Sequence, residues 1–216
     1  MLAGEILSEQ VIPLKKNDAC EAAVGFMSQM SVFELPVVEA GKLIGYLTIS
    51  EAIINQNKSV GQALNANVFQ IKDNTHLFDV ARILADTNRN CLAVCNQEDL
   101  YIGSITATDV VKAIGQHSFL ASPGAIVTLE IWPRDYSLTE LSRIVESNNI
   151  KIIAIFIKNT PSQKLEVNIK FNSTEINSIL NALERYNYQI KAIHQASQNQ
   201  DDYSNRLDWL IKYMNT

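Results

Sequence analysis

Lys42-Leu43-Ile44-Gly45-Tyr46-Leu47-Thr48-Ile49-Ser50-Glu51 is answered further along the chain by Tyr101-Ile102-Gly103-Ser104-Ile105-Thr106-Ala107-Thr108-Asp109. Ile44 falls on Ile102, Gly45 on Gly103, Thr48 on Thr106 and Glu51 on Asp109. Each stretch reads as a strand that passes a glycine and enters a Thr-x-x-acid turn. Upstream the register moves by one residue and then holds. Leu35 falls on Leu92, Val37 on Val94, Met27 on Leu84, Phe26 on Ile83, Ala23 on Val80, Lys15 on Lys72 and Leu14 on Ile71. Residue class is kept throughout, so one structural unit is written twice. A twofold repeat makes a pseudo-symmetric pair, and the seam between such units is a natural small-molecule cleft.

Each copy reads as strand, helix, strand, strand, helix. In the first, residues 11–14 are extended, with Pro13 confining them to a sheet edge. Asp18 stands where an N-cap belongs, ahead of a helix over 19–30 with apolar residues at helical spacing. Residues 35–38 and 42–47 are strands about a turn at Ala40-Gly41, and 48–55 is a second helix. The second copy repeats the order over 68–71, 77–87, 92–95, 101–105 and 106–114. Residues 60–64, between the copies, suit a short helical turn. Ser122-Pro123-Gly124 closes a linker.

Beyond it the order changes to strand 125–131, helix 138–148, strands 151–158 and 165–171, helix 174–186 and strand 188–194. Ser173 or Thr174 is the expected cap of the second helix, whose Ile176, Ile179, Leu180 and Leu183 share one face. This β-α-β-β-α-β order is the ferredoxin-like unit. The fold class is therefore α+β. The expected divisions are 1–59, 60–118, a linker 119–124, 125–195, and a tail 196–216 carrying a short amphipathic helix with Leu207, Leu210, Ile211 and Met214 on one face.

The 216 residues suffice for two medium domains, each able to bury a core. A net charge of −5, with no basic stripe, argues against nucleic acid as a partner. The first residues lack the basic start and apolar run of a signal peptide, and no apolar stretch approaches the roughly 20 residues of a membrane helix. Three cysteines, an odd number, point to free thiols in a reducing compartment, hence a cytoplasmic protein. Cys91 and Cys95, four apart on a strand, are expected to face one side as small buried hydrophobes. His76, His117 and His194 show no metal-ligand spacing. No nucleophile elbow and no phosphate-cradling glycine loop is present.

Residues 6–116 resemble a tandem pair of CBS domains, the unit also called a Bateman module. The resemblance rests on Leu35-Pro36-Val37-Val38 with the 42–51 stretch, and on the 101–109 stretch. It implies two β-α-β-β-α repeats forming a pseudo-twofold module, with the Gly-x-x-Thr-x-x-acid segment holding the ribose of an adenosine-type ligand. Thr106 and Asp109 would bind the sugar in the second copy, with strand backbone at Val68, Leu92 and Ala93 reading the adenine. Thr48 and Glu51 are their counterparts in the first. Residues 125–194 resemble an ACT domain, on Ser137-Leu138-Thr139-Glu140-Leu141-Ser142-Arg143-Ile144-Val145-Glu146-Ser147-Asn148-Asn149-Ile150-Lys151-Ile152. That family's Pro-Gly before the helix is here Asp135-Tyr136, and glycine is what admits an amino-acid ligand to the backbone. An assembly surface is the expectation for this part. The whole order resembles the acetoin-utilisation AcuB-type CBS proteins.

Thr48-x-x-Glu51 and Thr106-x-x-Asp109 also satisfy a purely structural pattern, the capping box at a helix start. A box favours the longer Glu, whereas a fixed short carboxylate suits a ribose diol. The first copy thus reads as a plain cap and the second as the ligand site. Phosphates need cations, and Arg89, with Lys72 and His76 nearby, would supply them to the second copy, while Glu34 repels anions from the first. Arg89 and Lys72 read as solvated surface on the structural account. The resulting expectation is a non-enzymatic regulatory homodimer. It requires no cofactor, binds AMP, ADP, ATP or S-adenosylmethionine, and signals to a protein partner through dimer conformation. The competing expectation is a ligand-free dimerisation and assembly module.

Overall fold

The stretches that define the repeat form the antiparallel ladders of two small sheets in a computed structural model that describes residues 1–195. The helix expected within 196–216 lies outside the described residues. The chain divides into two units, Met1–Gly115 and Gln116–Thr216. In the first repeat, helix α1 (Cys20–Met30) leads to the hairpin β1 (Glu34–Glu39) and β2 (Lys42–Thr48), then helix α2 (Ile49–Ile54). A one-turn helix, α3 (Val60–Ala63), introduces the second repeat. There β3 (Gln70–Lys72), α4 (Leu77–Thr87), β4 (Cys91–Cys95), β5 (Tyr101–Thr106) and α5 (Ala107–Gly115) follow. β4 pairs in parallel with β3 and antiparallel with β5.

The copies agree in fine detail. α1 buries Cys20, Ala23 and Met27, and α4 buries Leu77, Val80 and Leu84, in each case one stripe at helical spacing. Both helices stop at a left-handed residue, Ser31 at φ 54° and Asn88 at φ 53°. Both hairpins shift register at the same place, between Val37 and Val38 and between Val94 and Cys95.

Three local expectations are corrected. Residues 11–14 form no strand: only Leu14 bridges Val37, its N–H donating to Pro36 O at 2.9 Å while Val38 N donates to Leu14 O at 2.8 Å. Pro13 has no N–H with which to extend that ladder, whereas its counterpart Gln70 opens a three-residue strand. Asp18 does not cap α1. Ala19 is the N-cap, and the short Asp18 carboxylate instead accepts from Lys15 N at 2.8 Å, closing the preceding turn. Helix α8 (Asn177–Arg185) is capped by neither Ser173 nor Thr174. Ile176 holds the cap position, and Ser173 Oγ accepts from Glu175 N at 3.1 Å in a local turn.

The leading segment of each repeat packs on the other repeat. Ala3, fully buried, belongs to the core of Ile71, Leu77, Val80, Leu92 and Ile105. Val60, equally buried, belongs to that of Leu14, Ala23, Met27, Leu35 and Leu47. Ala3 N and Gly4 N donate to Thr75 O and Asp73 O at 2.8 Å, and Val60 N and Gly61 N donate to Asp18 O and Lys16 O at 2.8 Å. Further along, Ser8 N donates to Ser104 O, and Asn65 N to Tyr46 O, both at 2.8 Å. The repeat thus begins near residue 3, and each copy's leader completes its neighbour's core.

The second unit contains β6 (Ala125–Ile131), α7 (Leu138–Glu146), β7 (Ile152–Asn159), β8 (Leu165–Phe171), α8 and β9 (Gln189–Gln195). Its sheet runs β7-β8-β6-β9 with every neighbour antiparallel, which is the ferredoxin-like βαββαβ arrangement. Leu141, Ile144, Val145, Ile179 and Leu183 from the helices share a core with Val127, Leu129, Val167, Ile169 and Phe171. A one-turn helix α6 (Ser118–Ala121) stands where a linker was expected.

Candidate functional site

At the end of β2, Thr48 is the N-cap of α2. Its hydroxyl accepts from Glu51 N at 3.3 Å, while Glu51 Oε2 accepts from Thr48 N at 2.9 Å and from Thr48 Oγ1 at 2.7 Å. The end of β5 has the same three bonds. Asp109 N donates to Thr106 Oγ1 at 3.2 Å, and Asp109 Oδ2 accepts from Thr106 N at 2.9 Å and Thr106 Oγ1 at 2.6 Å. The preference of such a box for the longer Glu therefore does not separate the two copies. Asp109 reaches back equally well because threonine's hydroxyl donates to the same oxygen. Both carboxylates spend one oxygen on the cap, and among the described residues Asp109 Oδ1 has no partner.

Between the boxes lies a polar seam. Arg89 and Glu34, expected to act on separate copies, meet: Arg89 Nη1 donates to Glu34 Oε2 at 2.6 Å, with both side chains largely buried. Arg89 is therefore neither solvated surface nor a cation free for phosphate. Its guanidinium lies 4.5 Å from the ring centre of Tyr46 and 5.1 Å from that of Phe69, cation–π contacts in a desolvated setting. Burial raises the Glu34 pKa, and Arg89 partly offsets this. Tyr46, 2% exposed, crosses from the first repeat to the second. Its hydroxyl donates to Phe69 O at 2.6 Å and accepts from Ala93 N at 2.9 Å. Burial holds the phenol well above its ordinary pKa, so it stays protonated.

The CBS domain family model matches residues 3–56 and 60–116, more than half of the chain. The chain belongs to the CBS-domain family. An uncharacterised protein of Methanocaldococcus jannaschii, MJ1232, is 25% identical over 114 residues, covering 51% of this chain and 38% of that protein. The chain spans between 26% and 43% of the length of three such curated relatives. Among solved structures, CBSX2 of Arabidopsis thaliana in complex with AMP is 23% identical, with a TM-score of 0.47 over 53% of this chain and 96% of that one. A Vibrio cholerae protein named AcuB, for acetoin utilization, is 17% identical, with a TM-score of 0.47 over 53% of this chain and 90% of that one.

The CBS pair places the other nominated residues unequally. Leu92 and Ala93 are fully buried on β4, while Val68 is exposed ahead of β3. The Ala93 N–H is held by Tyr46. His76 is the N-cap of α4, its Nδ1 accepting from Phe78 N at 3.3 Å, and Lys72 donates to Asp99 and to Asn96 O at the far end of the sheet. Cys91 and Cys95 share a face of β4 as expected, the one away from Leu92 and Val94, which pack in the second repeat's core. Cys91 joins the first repeat's core and Cys95 Sγ donates to Gln70 Oε1 at 3.1 Å, while the extra residue of the register shift, Ile102, lies on β5 and leaves the alternation of β4 intact. Burial raises all three thiols, Cys91 to about 12. Among the described residues no group of three His, Cys, Asp or Glu could hold a metal, and no helix is long and apolar enough to cross a membrane.

Sequence reading missed Tyr46, Phe69 and Glu34 as seam residues. The available signal was divergence: Tyr46, Phe69 and Arg89 fall on Ser104, Ile12 and Val32 in an otherwise well-kept repeat. A groove of about 460 Å³ on the first repeat, lined by Gln10, Ile12, Pro13, Asp18, Phe26 and Met30, contains none of the nominated residues.

Proposed function

We propose that this CBS pair is the sensing part of a non-catalytic regulatory protein, and that an adenosine-type ligand binds in the second repeat at Thr106 and Asp109. One observation carries the reading. Asp109 holds Thr106 through a single oxygen, so a fixed carboxylate edge remains beside a buried hydroxyl, a pairing suited to a sugar diol. Arg89 is spent on Glu34, so the affinity rests on the nucleoside half, and a phosphate tail adds little. The adenosine moiety shared by AMP, ADP, ATP and S-adenosylmethionine is the recognised element. Thr48 and Glu51 make the same box in the first repeat, but Pro36 stands there in place of Ala93 and offers no backbone N–H to a base, so that pair serves as a cap alone.

The protein acts as a cytoplasmic homodimer, and ligand binding shifts its conformational equilibrium by the difference in affinity between two states, which a protein partner reads. The second unit is an ACT-like assembly domain. Tyr136, where that family has glycine, packs against the domain core and fills the space an amino-acid ligand would need.

The test is thermal unfolding against adenosine, AMP, ADP, ATP and S-adenosylmethionine, alongside Asp109→Ala. Ligand at about 100 times its dissociation constant adds roughly 2.7 kcal/mol, a readable rise in melting temperature. A rise abolished by Asp109→Ala supports the sensor. No rise with any of the five supports the second reading, a ligand-free assembly module, which the Glu34–Arg89 pair favours by consuming the seam's cation.

A further inference from the structure

Phe69 O and Ala93 N–H form a small acceptor–donor pair where β3 begins beside β4, and both are occupied by one foreign group, the Tyr46 hydroxyl from the first repeat. That hydroxyl gives a proton to the carbonyl and takes one from the amide. An adenine edge carries the same alternation, an exocyclic amino donor beside a ring-nitrogen acceptor. The surroundings agree with this. The Tyr46 ring lies under the Arg89 guanidinium, which also spans Phe69, and arginine planes and aromatic rings are the surfaces on which unstacked bases settle.

The first repeat has no such arrangement. Its counterpart of Ala93 is Pro36, which has no N–H to offer, and its counterparts of Phe69 and Arg89 are Ile12 and Val32. The residue matching Tyr46 is Ser104, whose short hydroxyl bonds Tyr101 OH at 2.9 Å.

We infer that Tyr46 is an internal occupant of the second repeat's purine seat, so that adenosine binds there by displacing it and residue 46 sets the affinity. The inference rests on the adenosine reading of this seam. It makes Tyr46 a determinant of both affinity and base choice, acting from the repeat that does not hold the ribose.

The test is calorimetric titration of the full chain with adenosine and, separately, inosine, using the unaltered protein, Tyr46→Ser, Tyr46→Phe and Asp109→Ala. Thermal melts establish that each variant folds. Tyr46→Ser installs the residue found at the matching position of the second repeat and empties the seat. It is expected to bind adenosine at least tenfold more tightly than the unaltered protein. Tyr46→Phe frees the two backbone groups but keeps the ring, and it is expected to gain less. Inosine presents a ring N–H beside a carbonyl, the reverse alternation, and is expected to gain nothing.

A folded Tyr46→Ser chain that binds adenosine no more tightly, or gains equally for inosine, overturns the inference. If that variant does not fold, absence of any gain in Tyr46→Phe overturns it instead. Binding by the unaltered protein that is lost in Asp109→Ala yet unchanged in Tyr46→Ser leaves the adenosine reading standing and removes Tyr46 from it. Absence of adenosine binding in every chain removes both.

Discussion

Glu34 in the first repeat and Cys91 in the second occupy one position of the duplicated unit, opposite Thr48 and Thr106 in their respective ladders. One is a buried carboxylate held by an arginine from the other copy, and the other is a buried thiol in the other copy's core. Nearby, Tyr46 and Ser104 differ in the same way: one spans the seam, while the other bonds within its own repeat. Against this, the two capping boxes, the two left-handed helix ends and the two hairpin register shifts are the same. Duplication preserved what closes each copy on itself. The copies diverged where they face one another, which is where a ligand could discriminate between them.

The strongest way to break the comparison is to remove the seam's ion pair. Arg89→Met leaves the Glu34 carboxylate buried without a partner and is expected to cost about 3 kcal/mol at neutral pH, seen as a lower urea midpoint. Burial already raises the folded-state pKa of Glu34, and losing Arg89 raises it further. Stability lost to such a group is lost as pH rises through that pKa, so the Arg89→Met deficit should shrink toward pH 4. Adding Glu34→Gln to Arg89→Met should recover most of the loss at pH 7. A deficit unchanged between pH 4 and pH 7 would mean that packing on Tyr46 and Phe69, and not charge, is what Arg89 supplies.

The two glycines of the defining stretch sharpen the comparison. Gly45 lies at φ 152°, and a side-chain carbon there would sit 2.1 Å from Asn65 O, part of the second repeat's leader. At Gly103 the nearest atom is the Leu7 side-chain terminus at 3.0 Å, which can move. Gly45→Ala should cost about 3 kcal/mol and Gly103→Ala about 1 kcal/mol. Equal melting temperatures for the two variants would contradict the difference.

The smallest expected effects are at the caps. Thr48→Ala and Thr106→Ala should each cost about 1 kcal/mol, and by the same amount, because the bonds lost are the same. Only Thr106→Ala should also weaken an adenosine ligand. Matched thermal melts with and without adenosine would separate the cap contribution from the binding contribution.

The repeat, the strand–glycine–threonine stretches and the second unit's strand order were all legible, because hydrophobic period and turn chemistry are local properties. The leaders were legible in principle: Gly4 matches Gly61 and Leu7 matches Leu64 at the same offset. They escaped notice because Ala3 and Val60 are buried by the other repeat, and no local pattern announces a distant neighbour. The pairing of Glu34 with Arg89 was hidden for the same reason, as a sequence shows charges without showing which of them meet. Asp18 misled because an aspartate serves a turn and a cap equally well, and here the Lys15 N–H lay within its reach.

The exchange of leaders also bears on how the duplicated chain could have arisen. A single copy made alone would display an empty groove where a leader belongs, together with a leader that has no groove of its own. A second identical copy meets both needs at once, by reciprocal swapping, which is an inexpensive way to form a symmetric pair. Joining the two genes would turn that swap into one covalent chain and free each half to mutate separately. The seam residues Tyr46, Arg89 and Glu34 are then innovations open only to a fused molecule, since in a strict homodimer every change at the axis is made twice.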